Sequence, residues 1–324
     1  MYKRLGDATL KNGETVEIGC LTAPDAEYAE RARRLLGHKG WEWLWQVDQI
    51  LDGKTDDMES RFYVARRGDA LISNVCTLEK DGVGTLCHVW TPEAERRKGL
   101  ASAIFERLMP DFRERGGHIL VLGTEFDTPP YHIYKKFGFV GFSEGSGHMS
   151  CVTEANFLRK YYRAAPVRVV PATWSAYPRM DVLASQPEEF IKSISYNLAG
   201  KSFFEQAYVL LKHRMGKDTR IDAQLIESER TGAIVGYAFT VPDSRFEDVF
   251  ILDLYAHPSF TDDYGRLLSA MKWPDAKVQC CVEAGSRKKS AALTAAGFTH
   301  EATLKAQMKK PDGPVDLWVF SRLS

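Results

Sequence analysis

Apolar and polar positions repeat along this chain with two different periods, and the points where the period changes divide it into elements. An apolar run from Val16 to Leu21 reads as a strand, and a helical spacing follows from about Asp25 to Leu36 and continues through Trp41 to Leu51. Strand patterns come next at Arg61 to Ala65, Ala70 to Leu78 and Thr85 to Trp90, separated by Arg67-Gly68-Asp69 and Lys80-Asp81-Gly82. Such turn chemistry between three strands predicts a meander. After Gly99 the residues Leu100, Ile104, Leu108 and Phe112 fall at four-residue steps, so one apolar stripe predicts a helix that Arg115-Gly116-Gly117 stops. A strand is expected at His118 to Leu122. A short helix from about Asp127 to Phe137 is expected after it, with Asp127 or Thr128 as its cap, Pro129 in the first turn and Gly138 at its end.

From about Ala155 the pattern breaks. Pro166, Pro171, Pro178 and Pro187 punctuate short segments, which places a domain boundary near Arg163 and predicts domains at residues 1–160 and 161–324. The second half then repeats the order of the first. Helices are expected at Pro187 to Leu198 and Lys201 to Met215, and strands near Asp222 to Glu227, Ala233 to Val241 and Val249 to Tyr255. A helix at Gly265 to Met271, a strand at Lys277 to Val282 and a helix at Arg287 to Ala296 complete the repeat. The expected fold class is α/β (α+β), one fold used twice.

Length agrees with two domains, since 324 residues exceed the usual single domain. With 44% hydrophobic and 27% charged residues the chain has material for real cores, which excludes disorder and low-complexity scaffolds. Lysine plus arginine and aspartate plus glutamate both number 43, so no net field draws a polyanion, and neither a nucleic acid nor a membrane is expected as a partner. No apolar stretch has a spanning helix's length and the start lacks the apolar core of a secretory signal, so a soluble cytoplasmic protein is expected. The six cysteines show no Cys-x-x-Cys spacing and the eight histidines no metal-binding pattern. Buried free thiols and no metal site follow.

The stretch Val89-Trp90-Thr91-Pro92-Glu93-Ala94-Glu95-Arg96-Arg97-Lys98-Gly99-Leu100-Ala101-Ser102 runs from a strand through a basic turn into a helix. Unpaired amides and the positive end of the helix dipole converge on such a turn, and Gly99 and Ala101 let a ligand approach the backbone. Arg96, Arg97 and Lys98 add charge suited to a polyphosphate. One strand later, Tyr134-Lys135-Lys136-Phe137-Gly138-Phe139 closes a helix with glycine and enters another strand. Taken together and in this order, Arg96-x-x-Gly99-x-Ala101 and the Tyr-x-x-x-Gly-Phe segment resemble the GNAT superfamily of acyl-CoA-dependent N-acyltransferases. The central match spans Thr85 to Phe142, and with the upstream elements residues 13 to 155.

The resemblance implies two GNAT-like domains in tandem, each a twisted, mixed, mostly antiparallel sheet flanked by helices. It implies acetyl-CoA as co-substrate. Backbone groups of Val89, Trp90 and Thr91 would pair with the pantetheine arm, and amides from Arg97 through Lys98, Gly99, Leu100 and Ala101 to Ser102 would hold the pyrophosphate, with Arg96 shaping the loop. Tyr134 falls where the family keeps a proton donor for the departing thiolate; a half-buried helix aromatic is the plainer account of it. The base departs from the family's pattern. Nine and eleven residues before Arg96, where relatives often carry glutamate or histidine, stand Cys87 and Thr85. His88 is adjacent, but strand alternation turns it to the opposite face. Glu125 and Asp127 past the following strand are alternatives, and His132 a weaker one. Asp127 also stands where relatives have a cofactor-touching asparagine, and capping is its plainer role. Trp41, Trp43 and Trp45 sit where an acceptor pocket is usually built, or pack against the partner domain.

In the second half, Ile251 to Pro258 resembles the entry to the same loop and Ala295-Ala296-Gly297-Phe298 the later segment. Between them the turn carries Asp262 and Asp263 in place of arginine, and Leu293 stands four residues before Gly297, so both cofactor charge and proton donor are missing. The expectation is one catalytic domain and one degenerate copy that braces it or lends part of the acceptor pocket. The expected activity is acetyl transfer from acetyl-CoA to a primary amine of a small molecule, by direct attack in a ternary complex, in a monomer or homodimer. A protein or peptide N-acetyltransferase and a non-enzymatic acyl-CoA sensor are the alternatives.

Overall fold

The computed structural model describes residues 1–186, 204–310 and 313–323. The expected helix at Pro187 to Leu198 and the start of the next at Lys201 lie outside the described residues. The chain divides into two compact units, one of Met1–Phe157 with Thr173–Pro187, the other of Leu158–Ala172 with Glu188–Ser324.

The first unit begins with β1 (Tyr2–Thr9), β2 (Thr15–Thr22), α1 (Ala26–Leu36), α2 (Trp41–Leu51) and the meander β3 (Glu59–Arg67), β4 (Ala70–Lys80), β5 (Val83–Trp90). Then come α3 (Leu100–Glu114), β6 (Ile119–Gly123), α4 (Pro129–Lys136), β7 (Val140–Gly141) and β8 (His148–Val152). The sheet runs β1-β2-β3-β4-β5-β6-β8-β7. Only β5 and β6 are parallel, and their ladder is short, pairing Val83 with Ile119, Gly84 with Leu120 and Thr85 with Val121. Beyond Thr85 and Val121 the two strands part, which leaves a wedge at their carboxy-terminal ends.

Side-chain alternation sends Tyr63, Ala65, Val75, Leu86, Leu120 and Leu122 to the face covered by α3 and α4, where they share a core with Ile104, Phe105, Leu108 and Phe112. The intervening Phe62, Val64, Cys76 and Val121 are equally buried on the other face. A polar clamp fixes the far end of α3: Tyr63 Oη donates to Asp111 at 2.6 Å, and Arg115 bridges Asp111 and Glu79 at 2.9 and 2.7 Å. The amino-terminal end of α3, which carries the basic turn, is thereby held in place.

One element of this unit differs from the expected division at residue 160. After α5 (Phe157–Tyr161) and β9 (Val167–Pro171), the chain forms α6 (Tyr177–Ser185), which belongs to the first unit. Burial is the reason. Tyr177, Met180, Val182 and Leu183 are wholly enclosed, and α6 packs against β4, β5 and β6 on the face opposite α3.

The second unit adds α7 (Phe204–Met215), β10 (Ala223–Ser228), β11 (Ile234–Pro242), β12 (Val249–Ala256), α8 (Tyr264–Ala270), β13 (Lys277–Glu283), α9 (Arg287–Ala295), β14 (Thr299–Lys310) and β15 (Gly313–Arg322). Its sheet order is β14-β15-β13-β12-β11-β10-β9. Again one pair is parallel, β12 with β13, through Val249–Lys277, Phe250–Val278 and Ile251–Gln279. Each half is thus a mixed, mostly antiparallel sheet flanked by helices, and the class is α/β. Among the described residues no helix is long and apolar enough to cross a membrane, which says nothing of crossing by strands. None of the six cysteines is in a disulfide, and all but Cys281 are buried.

Candidate functional site

The turn between β5 and α3 is assembled by its own charges. Arg67 of β3 donates to Glu14 and to Glu95, the latter at 2.9 Å, and Lys98 pairs with Glu95 at 3.0 Å. Hydrogen bonds from Arg67 first and Lys98 second hold the Glu95 carboxyl down to about 2. Arg96 donates through Nε to Thr91 O at 3.0 Å and lies over the Trp90 ring, which stacks on His38 with centroids 3.6 Å apart. Two of the three basic side chains are therefore committed to shaping the turn. Arg97 is exposed and has no hydrogen-bond or ion-pair partner among the described residues.

The backbone here is what an anion needs. Arg97 has φ +64° and Gly99 φ +95°, left-handed angles that a non-glycine residue takes rarely and glycine readily. The first hydrogen bond of α3 runs from Ala103 N to Gly99 O at 3.0 Å. Among the described residues the amides of Arg97, Lys98, Gly99, Leu100, Ala101 and Ser102 have no acceptor. Six free N–H groups at a helix start, with the dipole behind them and an unpaired guanidinium beside them, fit a pyrophosphate. Sequence reasoning missed Lys11. Its amide donates to Lys98 O at 3.0 Å and its side chain lies where a Cβ on Gly99 would meet it, so the β1–β2 turn adds a further exposed cation. No local motif signals a contact between positions so far apart in sequence.

Val89, Trp90 and Thr91 lie at the end of β5, next to the wedge. Ser73 Oγ meets Thr91 Oγ1 at 2.8 Å and fixes that exit. His88 does not follow alternation. The β4–β5 register shifts between Asn74–Trp90 and Cys76–Cys87, and His88 takes φ +48°, so this bulge turns it to the face of Thr85 rather than away from it. There its Nε2 is 3.1 Å from Gln46 Oε1 of α2, and Trp43 meets its ring edge-on at 5.9 Å. Asn74 Nδ2 donates to His88 O at 2.8 Å. Burial pushes the His88 imidazole down to about 3, so it is neutral near pH 7.

Tyr134 is buried on α4, with Phe105 and Phe139 ring centroids 5.7 and 6.0 Å away. Glu125 is exposed just past β6, and its carbonyl accepts from Thr128 Oγ1 at 2.8 Å. Asp127 is not the cap of α4. Thr128 holds that position without a side-chain capping bond, while Asp127, at φ +60°, pairs with His132 Nε2 at 3.0 Å; the left-handed backbone turns its carboxylate from the first-turn amides. The three tryptophans of α2 diverge: Trp41 is exposed, Trp43 faces His88, and Trp45 meets Trp174, just before α6, at 5.6 Å.

In the second unit the matching turn is acidic. Asp262 pairs with Lys288 of α9 at 2.7 Å and Asp263 with Arg266 at 3.2 Å. Leu293, matching Tyr134, is fully buried.

Residues 26–139 match the model of the acetyltransferase (GNAT) family. Among solved structures, the chain is similar to an acetyltransferase of the GNAT family from Streptococcus pneumoniae, at 12% identity over 49% of this chain and 100% of that one, with a TM-score of 0.40. It is also similar to ribosomal-protein-alanine N-acetyltransferase from Brucella melitensis, at 18% identity over 48% and 99%, with a TM-score of 0.38. A third is the GNAT domain of S. lividans PAT, at 16% identity over 45% and 96%, with a TM-score of 0.35. Comparison with curated proteins yields no match. Among the described residues no group of three or more His, Cys, Asp or Glu could hold a metal ion.

Proposed function

We propose that the first unit binds acetyl-CoA and transfers its acetyl group to a primary amine of a small molecule, with both substrates bound together. The observation that carries this reading is the set of six unpaired amides from Arg97 to Ser102, beside the free Arg97 and the wedge beyond Thr85. The family match across these residues supports it.

Acetyl-CoA supplies an activated thioester. The chain's own part is to hold and to move protons. The six amides, Arg97 and Lys11 grip the pyrophosphate, and backbone groups of Val89, Trp90 and Thr91 pair with the pantetheine arm as an added strand. Tyr134 donates the proton that the thiolate needs, a task its high reference pKa suits. Of the proton acceptors the local sequence offers, His88 is made a weak base by its burial, and Glu125 is open to water. In this reading Asp262 and Asp263 leave the second unit without a cofactor site. The protein works in the cytoplasm as a monomer or homodimer.

Calorimetric titration with acetyl-CoA tests this, followed by thiol release in the presence of phenethylamine, spermidine and an alanyl peptide. One site per chain and turnover of a small amine are expected. Two sites would make the acidic turn competent, turnover of the peptide alone would reassign the acceptor, and binding without turnover would leave a sensor.

A further inference from the structure

Thr85 sits at the last rung of the parallel β5–β6 ladder, where the wedge opens. Its hydroxyl donates at 2.8 Å to Asp181 Oδ2, a carboxylate delivered by α6 from 96 residues further along the chain. Asp181 is 4% exposed. Among the described residues it makes no ion pair, and a neutral hydroxyl is its one hydrogen-bond partner. Burial drives its pKa well above the ordinary carboxylate range, with the Thr85 bond pulling the other way.

The surroundings on the same face are polar and incompletely matched. Gln46 Nε2 and Asn74 Oδ1, one a donor and one an acceptor, are both buried without a partner among the described residues, and they flank His88 through Gln46 Oε1 and Asn74 Nδ2. A buried carboxylate lacking a counter-ion is costly, and orphaned amide groups beside it add to that cost. A ligand that carries a positive charge and N–H groups would offset both.

We propose that Asp181 is the counter-ion and proton acceptor for the attacking amine, so that the acceptor substrate enters as a cationic ammonium. This rests on the acetyl-transfer reading above. Asp181 takes one proton from the ammonium. The freed lone pair forms the C–N bond as the C–S bond breaks, the sulfur leaves with that bond's electron pair and takes the Tyr134 proton, and the second proton of the acylated nitrogen restores the Tyr134 hydroxyl. Asp181 then returns its proton to solvent. Thr85 is a positioning residue that keeps the carboxylate ionisable. Among the described residues the other titratable groups near α6 include Cys76 of β4, Cys87 and His88 of β5, Tyr177 and Arg179 on α6 itself, and Asp56 and Asp57 of the α2–β3 loop, which bond to the turn ahead of α6. Neutral His88 offers no competing charge.

The test uses the full chain, Asp181→Asn and Thr85→Val, with acetyl-CoA and the three amines named above. Infrared titration of the protein alone should show a carboxylic acid persisting to higher pH than the bulk carboxyls, and absent from Asp181→Asn. Asp181→Asn should lose about 100-fold or more in kcat near pH 7 while keeping its acetyl-CoA affinity. The loss should shrink as rising pH deprotonates the amine itself. Thr85→Val, without the bond that favours the charged form, should move the rising limb of the pH profile to higher pH; this arm decides the matter where Asp181→Asn fails to fold. An unchanged rate and profile in Asp181→Asn, a loss of acetyl-CoA affinity in step with rate, or an unmoved limb in Thr85→Val would overturn the assignment of Asp181 alone. Failure of the wild-type chain to bind acetyl-CoA would overturn the acetyl-transfer reading and this one together, and binding with turnover of no amine would overturn the cationic acceptor.

Discussion

The turn after β5 and the turn after β12 are built on the same strand geometry and hold opposite charge. Both strands run parallel to their neighbour for three residue pairs and then part, and both lead through proline, Pro92 or Pro258, toward a helix. Gly138 and Gly297 both take left-handed angles, at φ +90° and +86°, and Phe139 and Phe298 are both buried. Arg96 and Arg97 of one turn stand where Asp262 and Asp263 stand in the other, and Tyr134 where Leu293 stands. What the halves share is what a sheet needs in order to splay and close its core. What they do not share is what an anion and a proton need. Fold and chemistry are thus carried by different residues of one framework.

The glycine of each turn gives the largest expected effect. Gly99 has φ +95° and lies among the unpaired amides, whereas Gly265 has no left-handed angle and open space where a Cβ would stand. Gly99→Glu forces a side chain and a negative charge into the cradle and should weaken acetyl-CoA binding by about 1,000-fold or more, since several amide contacts and a charge are affected together. Gly265→Glu should leave calorimetric affinity unchanged. Equal effects would end the distinction between the two turns, and thermal melts of both variants would show whether either had merely unfolded.

Next in size is Tyr134. Tyr134→Phe keeps the ring against Phe105 and Phe139 and removes the hydroxyl, which brings the site nearer to the apolar Leu293. It should lower kcat by about 100-fold with acetyl-CoA affinity nearly unchanged, as loss of a general acid does. Affinity and turnover falling together would make Tyr134 a packing residue only.

Much of this framework was legible in the sequence because it obeys local rules. Asp25 caps α1 by accepting from the amides of Glu27 and Tyr28, and the apolar stripe of α3 ends at the glycines that stop it. The basic turn and Tyr134 were legible for the same reason, as short motifs at fixed offsets. What escaped was non-local or aperiodic. Seven of the nine residues of α6 are buried, so it presents no amphipathic stripe, and its proline reads as a break. The strand β1 is an edge with exposed polar positions. The β4–β5 bulge cancels the alternation on which the facing of His88 was judged. Asp181 reaches Thr85, and Lys11 reaches Lys98, only through tertiary contacts, which no window of sequence contains.

His88 gives the smallest and most specific comparison, because Leu254 occupies its place in the second unit. Folding pushes the His88 pKa down to about 3, while in the unfolded chain it returns to about 6.5. Between those values the unfolded state holds a proton that the folded state refuses. Stability therefore falls as pH drops through that window, by at most about 1.4 kcal/mol per pH unit for this one group. Asp181 acts in the opposite sense, since its raised pKa lets the folded state take up a proton first. The difference between wild type and His88→Leu removes that shared contribution. Urea melts between about pH 5 and 6.5, above the range where ordinary carboxylates titrate, should show a shallower loss of stability in His88→Leu than in the wild type. Its absolute stability should be lower by about 1 to 2 kcal/mol, because Gln46 Oε1 loses its one hydrogen bond in a fully buried position. Parallel stability–pH curves for the two proteins would mean that folding leaves the His88 pKa at its ordinary value. In that case His88 would be a stronger proton acceptor beside the wedge than burial otherwise makes it.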